Sequence, residues 1–165
     1  MTPENDWQAR LHAVDWSCYR TIYGAAANIP EQISRLHSSD ENVALSGAAD
    51  LRAGLCHQNV QIASAAVPAL PFILGVLPSS SAKVAVEILE LLTSFALTTD
   101  AARMQHFASA VGKRRMPQPG WVGELRTALR AALPQIAPYA THEDAAVAEL
   151  ARMFVDELGK DTSPT

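Results

Sequence analysis

The chain contains several stretches in which apolar residues recur at the three- and four-residue spacing of an amphipathic helix. No stretch shows the strict alternation of apolar and polar residues that is typical of a half-buried strand. The pattern restarts after polar turns and predicts three pairs of helices. The predicted pairs are 29–37 with 40–56, 62–77 with 82–98, and 120–139 with 142–158. Residues 2–23 are expected to form one or two further helices that cap the first pair.

The second helix of each pair carries an apolar stripe that we expect to face the core. The stripes consist of Ala44, Ala48, Leu51 and Leu55 in the first pair, Val84, Ile88, Leu91, Leu92 and Phe95 in the second, and Val147, Leu150, Phe154 and Leu158 in the third. The opposite faces of these helices are polar, which leaves them for solvent or for a partner.

Two segments of the chain resemble each other at a distance of 41 residues. They begin at Ile29-Pro30 and at Leu70-Pro71, and both continue to a leucine and a pair of serines. Proline is tolerated in the first turn of a helix, and serine or aspartate oxygens cap the helix that follows. A partial third copy starts at Leu133-Pro134. Each copy therefore predicts a helix, a tight turn and a second helix.

A period near 41 residues lies within the roughly 40–47 residues of HEAT and armadillo repeats. We therefore predict an all-α fold, a HEAT/armadillo-like α-solenoid of about three helical hairpins with an N-terminal helical cap, in one domain over 1–159. An irregular helical bundle with similar helix starts is the alternative. The third copy is displaced by 22 extra residues, which we place in a basic insertion at about 99–119 with a short helix over 101–112. Residues 160–165 are expected to form a flexible tail.

The composition favours a folded domain and argues against several classes of protein. Of the 165 residues, 48 % are hydrophobic and 18 % are charged, which suits a chain with a core. The net charge of −4 makes a generally basic nucleic-acid-binding protein unexpected. Two cysteines, Cys18 and Cys56, are too few for a disulfide scaffold. Because no secretory signal and no apolar run of roughly 18–20 residues occurs, we expect a cytoplasmic protein without a membrane partner.

Several short motifs of the chain resemble those of one protein family. The motifs are Tyr23-Gly24-Ala25-Ala26, Ile29-Pro30, His57-Gln58 and a Val-Pro-Phe-Leu-like helix at 67–74. In this combination the chain resembles a group of small bacterial HEAT-like proteins, over roughly residues 16 to 96. Some members of that group look like immunity proteins encoded beside secreted antibacterial toxins. The resemblance implies a helical-repeat fold and a role in binding a protein.

No pattern in the chain predicts catalysis, a metal site or a cofactor. The five histidines lack the spacing of His-Glu-x-x-His or Cys-x-x-Cys sites, and glycine-rich phosphate loops and Gly-x-Ser-x-Gly elbows are absent from the sequence. Cys56 and His57 are adjacent, and neighbours on a helix point about 100° apart, so they do not suggest a nucleophile with its base. We expect His57-Gln58 to stabilise the end of a helix instead.

The predicted binding surface is formed by the polar faces of the second helices. Stacked repeats line such faces along one concave side, where solenoids commonly bind partners. The residues assigned to this surface are Asp50, His57, Glu87, Glu90, Ser94, Glu149 and Asp156. Its predicted net acidic charge suits a protein partner such as a basic toxin domain. The hypothesis is therefore a non-catalytic module, most specifically a bacterial immunity protein that occludes a cognate toxin.

Two alternatives remain open at this stage. One is a general HEAT-repeat scaffold or regulatory adaptor without a toxin partner. The other is a nucleic-acid-binding or nucleic-acid-modifying domain that holds phosphates through a basic patch of Lys113, Arg114 and Arg115. Nucleic acid is the less favoured partner, because such binding needs a larger basic surface and, for single strands, aromatic platforms.

Overall fold

The computed structural model describes residues 3–113 and 118–160, which are helical over most of their length. The described residues form nine α-helices: α1 (Pro3–Ala13), α2 (Ile29–Leu36), α3 (Glu41–Leu55), α4 (Ala66–Val76), α5 (Ala82–Thr99), α6 (Ala101–Ala110), α7 (Gly120–Ala131), α8 (Leu133–Ile136) and α9 (Ala145–Gly159). Short 3₁₀ helices cover Trp16–Cys18, Leu77–Ser79 and Ala137–Thr141. The predicted all-α class is confirmed. Within the described ranges, no helix combines the length and apolar character needed to cross a bilayer.

The second helix of each pair begins at a capping side chain, close to its predicted start. The Asp40 carboxylate accepts hydrogen bonds from the N–H groups of the first turn of α3, and the Ser81 hydroxyl does the same for α5. Asp144 caps α9 in the same way. Such oxygens satisfy N–H groups that have no partner inside the helix. The predicted bounds of these three helices are correct to within three residues.

The first helices repeat at a different interval from the second ones. α3 and α5 start 41 residues apart, whereas α2 and α4 start 37 residues apart. Pro30 lies in the first turn of α2, but Pro71 lies inside α4, whose first turn contains Pro68. The predicted start of α4 at residue 62 is therefore wrong. Two prolines in one short segment made the start of that helix ambiguous.

The structure contains two small β-hairpins where no strand was predicted. β1 (Arg20–Thr21) pairs antiparallel with β2 (Gly24–Ala25), and β3 (Cys56–His57) pairs antiparallel with β4 (Gln61–Ile62). Strands of two residues are too short to show an alternating pattern. Two predictions are corrected here, because the segment up to residue 23 is not entirely helical and His57-Gln58 does not end a helix. α3 ends at Leu55 instead.

The hairpins fasten the ends of consecutive helices to one another. In the first hairpin, the N–H of Ile22 donates to the Gly54 carbonyl at the end of α3 (2.8 Å). The backbone of Arg20 makes two hydrogen bonds with the residues directly before α4. Its N–H donates to Ser64 Oγ (3.0 Å), and its carbonyl accepts from the Ala65 N–H (3.0 Å). The first hairpin therefore bridges two consecutive helical pairs.

The third predicted pair is less regular than the other two. The segment predicted as one helix over 120–139 is divided into α7, α8 and the 3₁₀ helix Ala137–Thr141. Pro134 and Pro138 each lie at the start of a new helical segment, where the missing N–H is tolerated. The short helix predicted over 101–112 is present as α6.

The helices form two rows around a shared core. In one row α2 contacts α4 and α4 contacts α7, and in the other α3 contacts α5 and α5 contacts α9. The rows are joined where α2 packs on α3 and α7 packs on α5. The predicted apolar stripes are buried at every position except Leu150, which is half-buried. The long helix α5 lies in the middle of this arrangement and carries the fully buried Phe95.

Candidate binding cleft

A trough follows α5 between its two neighbours, α3 and α9, and is called the α3–α5–α9 trough below. A cleft of about 570 Å³ opens in it beside the second half of α5. The cleft is lined by side chains from α3, α5, α9 and the second hairpin. They include Ala49, Arg52, Ala53, Gln58, Asn59, Glu90, Thr93, Ser94, Leu97, Leu150 and Met153. A second hollow of about 330 Å³ lies nearer the helix starts and includes Lys83, Glu87 and Asp144.

The charges in the trough are partly paired. The Arg52 guanidinium from α3 contacts two carboxylates from α5, Glu90 by a short hydrogen bond and Glu87 at 3.3 Å. Lys83 pairs with Glu41 at 3.0 Å. Basic residues therefore balance part of the negative charge predicted for this surface. The Arg52 cluster, with one cation against two carboxylates, still has an excess of negative charge.

The structure brings some of the predicted binding residues together and leaves others apart. Glu90 and Ser94 line the cleft, and Glu87 lines the adjacent hollow. Asp50 faces the other side of α3, where its carboxylate pairs with Arg35 at 2.6 Å. It therefore does not belong to the trough.

The three remaining predicted residues are exposed. His57 lies on β3, beside the turn that reaches the cleft. Glu149 lies one turn before Met153 on the same side of α9, and its carboxylate makes no ion pair or hydrogen bond with any other described residue. Asp156 lies further along α9, near Lys160.

Two side chains in the cleft were not singled out by the sequence. Thr93 is only 4 % exposed, and its hydroxyl oxygen has no hydrogen-bond partner. Buried hydroxyl groups are normally hydrogen-bonded, so the missing partner of this group is unusual. Met153 is 46 % exposed although it is large and apolar. Met153 follows Leu150 at helical spacing. That spacing was the only sign in the sequence that Met153 lies at the edge of the apolar face of α9.

The turn of the second hairpin forms one rim of the cleft. Gln58 and Asn59 both have left-handed backbone conformations, with φ of 51° and 55°. Residues other than glycine rarely adopt this conformation, although asparagine tolerates it better than most. The Arg103 guanidinium from α6 donates to the Asn59 carbonyl (2.9 Å). This contact holds the strained turn in place at the rim.

The cysteine behind the rim is a structural residue. Cys56 is 5 % exposed, and its Sγ lies 3.6 Å from Thr98 Oγ1. Burial raises the pKa of the Cys56 thiol, which keeps it protonated. His57 follows it on a strand, where successive side chains point to opposite faces, so the two do not form a catalytic pair.

Only part of the predicted basic patch lies in the described residues. Lys113 is exposed just after α6, where its N–H donates to the Ala108 carbonyl (2.8 Å). Gly112 adopts φ of 68° to allow this helix ending. Arg114 and Arg115 lie outside the described residues.

A second cluster of charges is buried and joins α5, α7 and α9. Arg126 donates to the Ala96 carbonyl (2.8 Å) and to the Thr99 hydroxyl (3.2 Å). Burial raises the pKa of the nearby Asp100 carboxyl, but hydrogen bonds from the Arg103 N–H and with Glu157, together with the charge of Arg126, bring it below the usual value. Arg126 and Glu157 are buried, Asp100 is half-buried, and their contacts join the helices.

The described residues contain no group of three or more His, Cys, Asp or Glu side chains that could hold a metal ion. What the trough offers chemically is an open cleft with apolar patches, a free hydroxyl group and excess carboxylate. These are features for binding. In comparisons with protein-family models, with curated proteins and with solved structures, no match to this chain was found.

Proposed function

We propose that this protein is a non-catalytic protein-binding module and that the α3–α5–α9 trough is its binding face. The observation that carries the proposal is the open cleft, whose lining includes the exposed Met153, the buried Thr93 with its unpartnered hydroxyl, and the charged groups Arg52 and Glu90. Binding sites are typically concave, largely apolar and supplied with a few polar groups. A half-exposed methionine suits such a surface because its flexible side chain adapts to a partner.

We also propose that the architecture is of the HEAT type. Support comes from the two rows of helices, from the 41-residue interval between α3 and α5, and from the capping residue that starts each second helix. In repeat proteins of this kind, the second helices lie next to one another and present a continuous surface. The trough occupies that surface.

The specific role that we favour is that of a bacterial immunity protein, which acts in the cytoplasm and occludes a cognate toxin. This proposal is supported by the family-like motifs of the sequence and by the excess of carboxylate around Arg52, together with the unpaired Glu149. Complementary charge accelerates association with a basic partner and disfavours acidic ones.

The experiment that tests this role uses the product of the neighbouring gene. A toxin encoded there is produced in cells with and without the protein, and cell survival is measured. The Kd of the purified pair is measured in parallel. Ala49→Trp fills the cleft from α3, whereas Ala128→Trp adds the same side chain to an exposed position on α7. We expect Ala49→Trp to abolish protection and Ala128→Trp to preserve it. Equal protection by the two variants would contradict the proposal.

An adaptor role is the second candidate, and one observation favours it. α6 buries none of its residues, and Phe107 on α6 and Val111 directly after it are both exposed. A protein with a trough on one surface and exposed apolar side chains at α6 suits the joining of two partners. Loss of a second partner in Phe107→Ser, with binding at the trough unchanged, would favour the adaptor over the immunity protein.

A further inference from the structure

The cleft in the trough has the size of a site for a short ligand rather than of a flat protein interface. Its volume of about 570 Å³ lies within the roughly 300–1,000 Å³ of sites that enclose small ligands. It is bounded on three sides by helices and at one end by the turn at Gln58 and Asn59. A partner that fills it must insert a narrow segment of chain.

The apolar part of the cleft calls for an aliphatic side chain. Two alanines on α3, Ala49 and Ala53, leave space on one wall, and Leu150 and Met153 of α9 form the opposite wall. Met153 and both alanines are exposed. An inserted aliphatic side chain removes this apolar surface from water, which is favourable in proportion to the area covered.

The buried hydroxyl calls for an acceptor on the same segment. Thr93 lines the cleft, and its Oγ1 is buried without a hydrogen-bond partner. The neighbouring Ser94 hydroxyl already donates to the Glu90 carbonyl (2.8 Å). A backbone carbonyl of an inserted segment would therefore accept its hydrogen bond from Thr93, which gains a partner that the free protein lacks.

The charged wall of the cleft calls for a cation. Arg52 lies between Glu87 and Glu90, and Arg103 lies at the rim, so two positive charges face these two negative ones. The Glu90 side chain remains 41 % exposed, so it stays accessible from solvent. Glu149 adds a further carboxylate on the α9 side. An acidic segment would be repelled here, whereas lysine or arginine would be attracted.

From these features we infer the chemistry of the partner: the cleft binds a segment of a partner protein in which lysine or arginine adjoins a large aliphatic residue. The aliphatic side chain lies between Ala53 and Met153, a backbone carbonyl accepts from Thr93, and the cation lies against Glu90. Gln58 and Asn59 line the rim, and their side-chain amides supply hydrogen-bonding groups for the backbone of an extended segment. This inference rests on the proposed protein-binding function and specifies which part of a partner is recognised.

The test uses a capped peptide, Ser-Gly-Arg-Leu-Gly-Ser, titrated into the isotopically labelled full chain and followed by NMR chemical shifts. We expect saturable shifts at the backbone amides lining the cleft, with a Kd of about 1 mM, as is reasonable for a contact of a few residues. Replacing the arginine of the peptide by glutamate, or its leucine by alanine, should each weaken binding by at least about fivefold. Absence of shifts up to about 5 mM, or equal binding of the glutamate peptide, would overturn the inference.

Thr93→Val is a variant in which we expect weaker peptide binding without a loss of stability. Removing a hydroxyl that has no partner should leave the folded protein at least as stable, while peptide binding weakens about 2- to 10-fold. Thr127→Val on the exposed side of α7 is the matched control, and it should leave peptide binding unchanged. Unchanged peptide binding in Thr93→Val would contradict the assigned hydrogen bond.

The Ala49→Trp variant separates failure of this inference from failure of the proposed function. If the peptides do not bind but Ala49→Trp abolishes binding of the whole partner, the trough is the binding face and the inferred chemistry is wrong. If the whole partner binds Ala49→Trp as it binds the wild type, both proposals fall.

Discussion

Gly47 lies where α2 crosses α3, and a methyl group at this position provides a sharp test of the fold. A Cβ atom added there would lie 2.6 Å from the Leu36 nitrogen and 2.8 Å from the Gln32 oxygen. Both are backbone atoms of α2, so neither moves unless the helix itself moves. The substitution Gly47→Ala therefore forces α2 away from α3.

The magnitude follows from two opposing effects. Alanine favours a helix interior over glycine by about 1 kcal/mol. Overpacking a close contact costs typically about 1–3 kcal/mol, and a clash with fixed backbone lies at the upper end of that range. We expect a net loss of about 2 kcal/mol in the free energy of unfolding, which lowers Tm by about 4–8 °C for a domain of this size.

The assay is urea unfolding followed by far-UV circular dichroism, with a thermal scan on the same samples. Gly123→Ala in α7 is the matched control, because a Cβ there meets nothing within 4 Å. The control should be as stable as the wild type or more stable by up to about 1 kcal/mol. If Gly47→Ala is also neutral or stabilising, α2 and α3 do not approach as closely as described.

Three further predictions concern ionisable groups. Arg126→Met should lower the free energy of unfolding by about 1–2 kcal/mol, because it removes the hydrogen bonds that this buried side chain donates to the Ala96 carbonyl and the Thr99 hydroxyl. Urea unfolding measures this loss, and a neutral outcome would show that the cluster does not join the helices. The hydrogen bond from Cys18 to Asp15 raises the pKa of that exposed thiol, so Asp15→Asn should speed its labelling by a thiol reagent about two- to fivefold at about pH 8, measured by mass mapping of the modified peptide. An unchanged rate would show that the carboxylate does not control this thiol. Burial lowers the pKa of His37 below 6.5, so the unfolded chain takes up this proton first and stability falls as the pH drops from 6.5 towards the folded pKa. His37→Gln should remove this part of the pH dependence. The difference in free energy of unfolding between wild type and variant should therefore shrink as the pH falls from about 7 to about 5. A difference that stays constant over this range would refute the assignment.

The second helices could be read from the sequence because their signals are local. Asp40, Ser81 and Asp144 each precede a run of apolar residues at helical spacing, and helix capping acts within a single turn. Burial of the stripes followed from the same periodicity. The location of the trough depends on these helices, so its approximate position was also predictable.

The composition of the cleft was not predictable, because it depends on contacts between distant residues. Arg52 precedes its partners Glu87 and Glu90 by more than thirty residues, and neither α3 nor α5 alone indicates the pairing. The turn at Gln58 and Asn59 was missed because hairpins with two-residue strands leave no periodic signal. Sequence periodicity therefore indicated the surface but not the balance of its charges.

The central position of α5 has a consequence for the order in which the protein assembles during synthesis. The ribosome releases α3 and α5 well before α9, which supplies the opposite wall of the trough. Until α9 emerges, the side of α5 that it covers remains open to water and to other chains. The trough is therefore complete only when α9 has docked, and this late step also covers apolar surface of α5 that the nascent chain exposes until then.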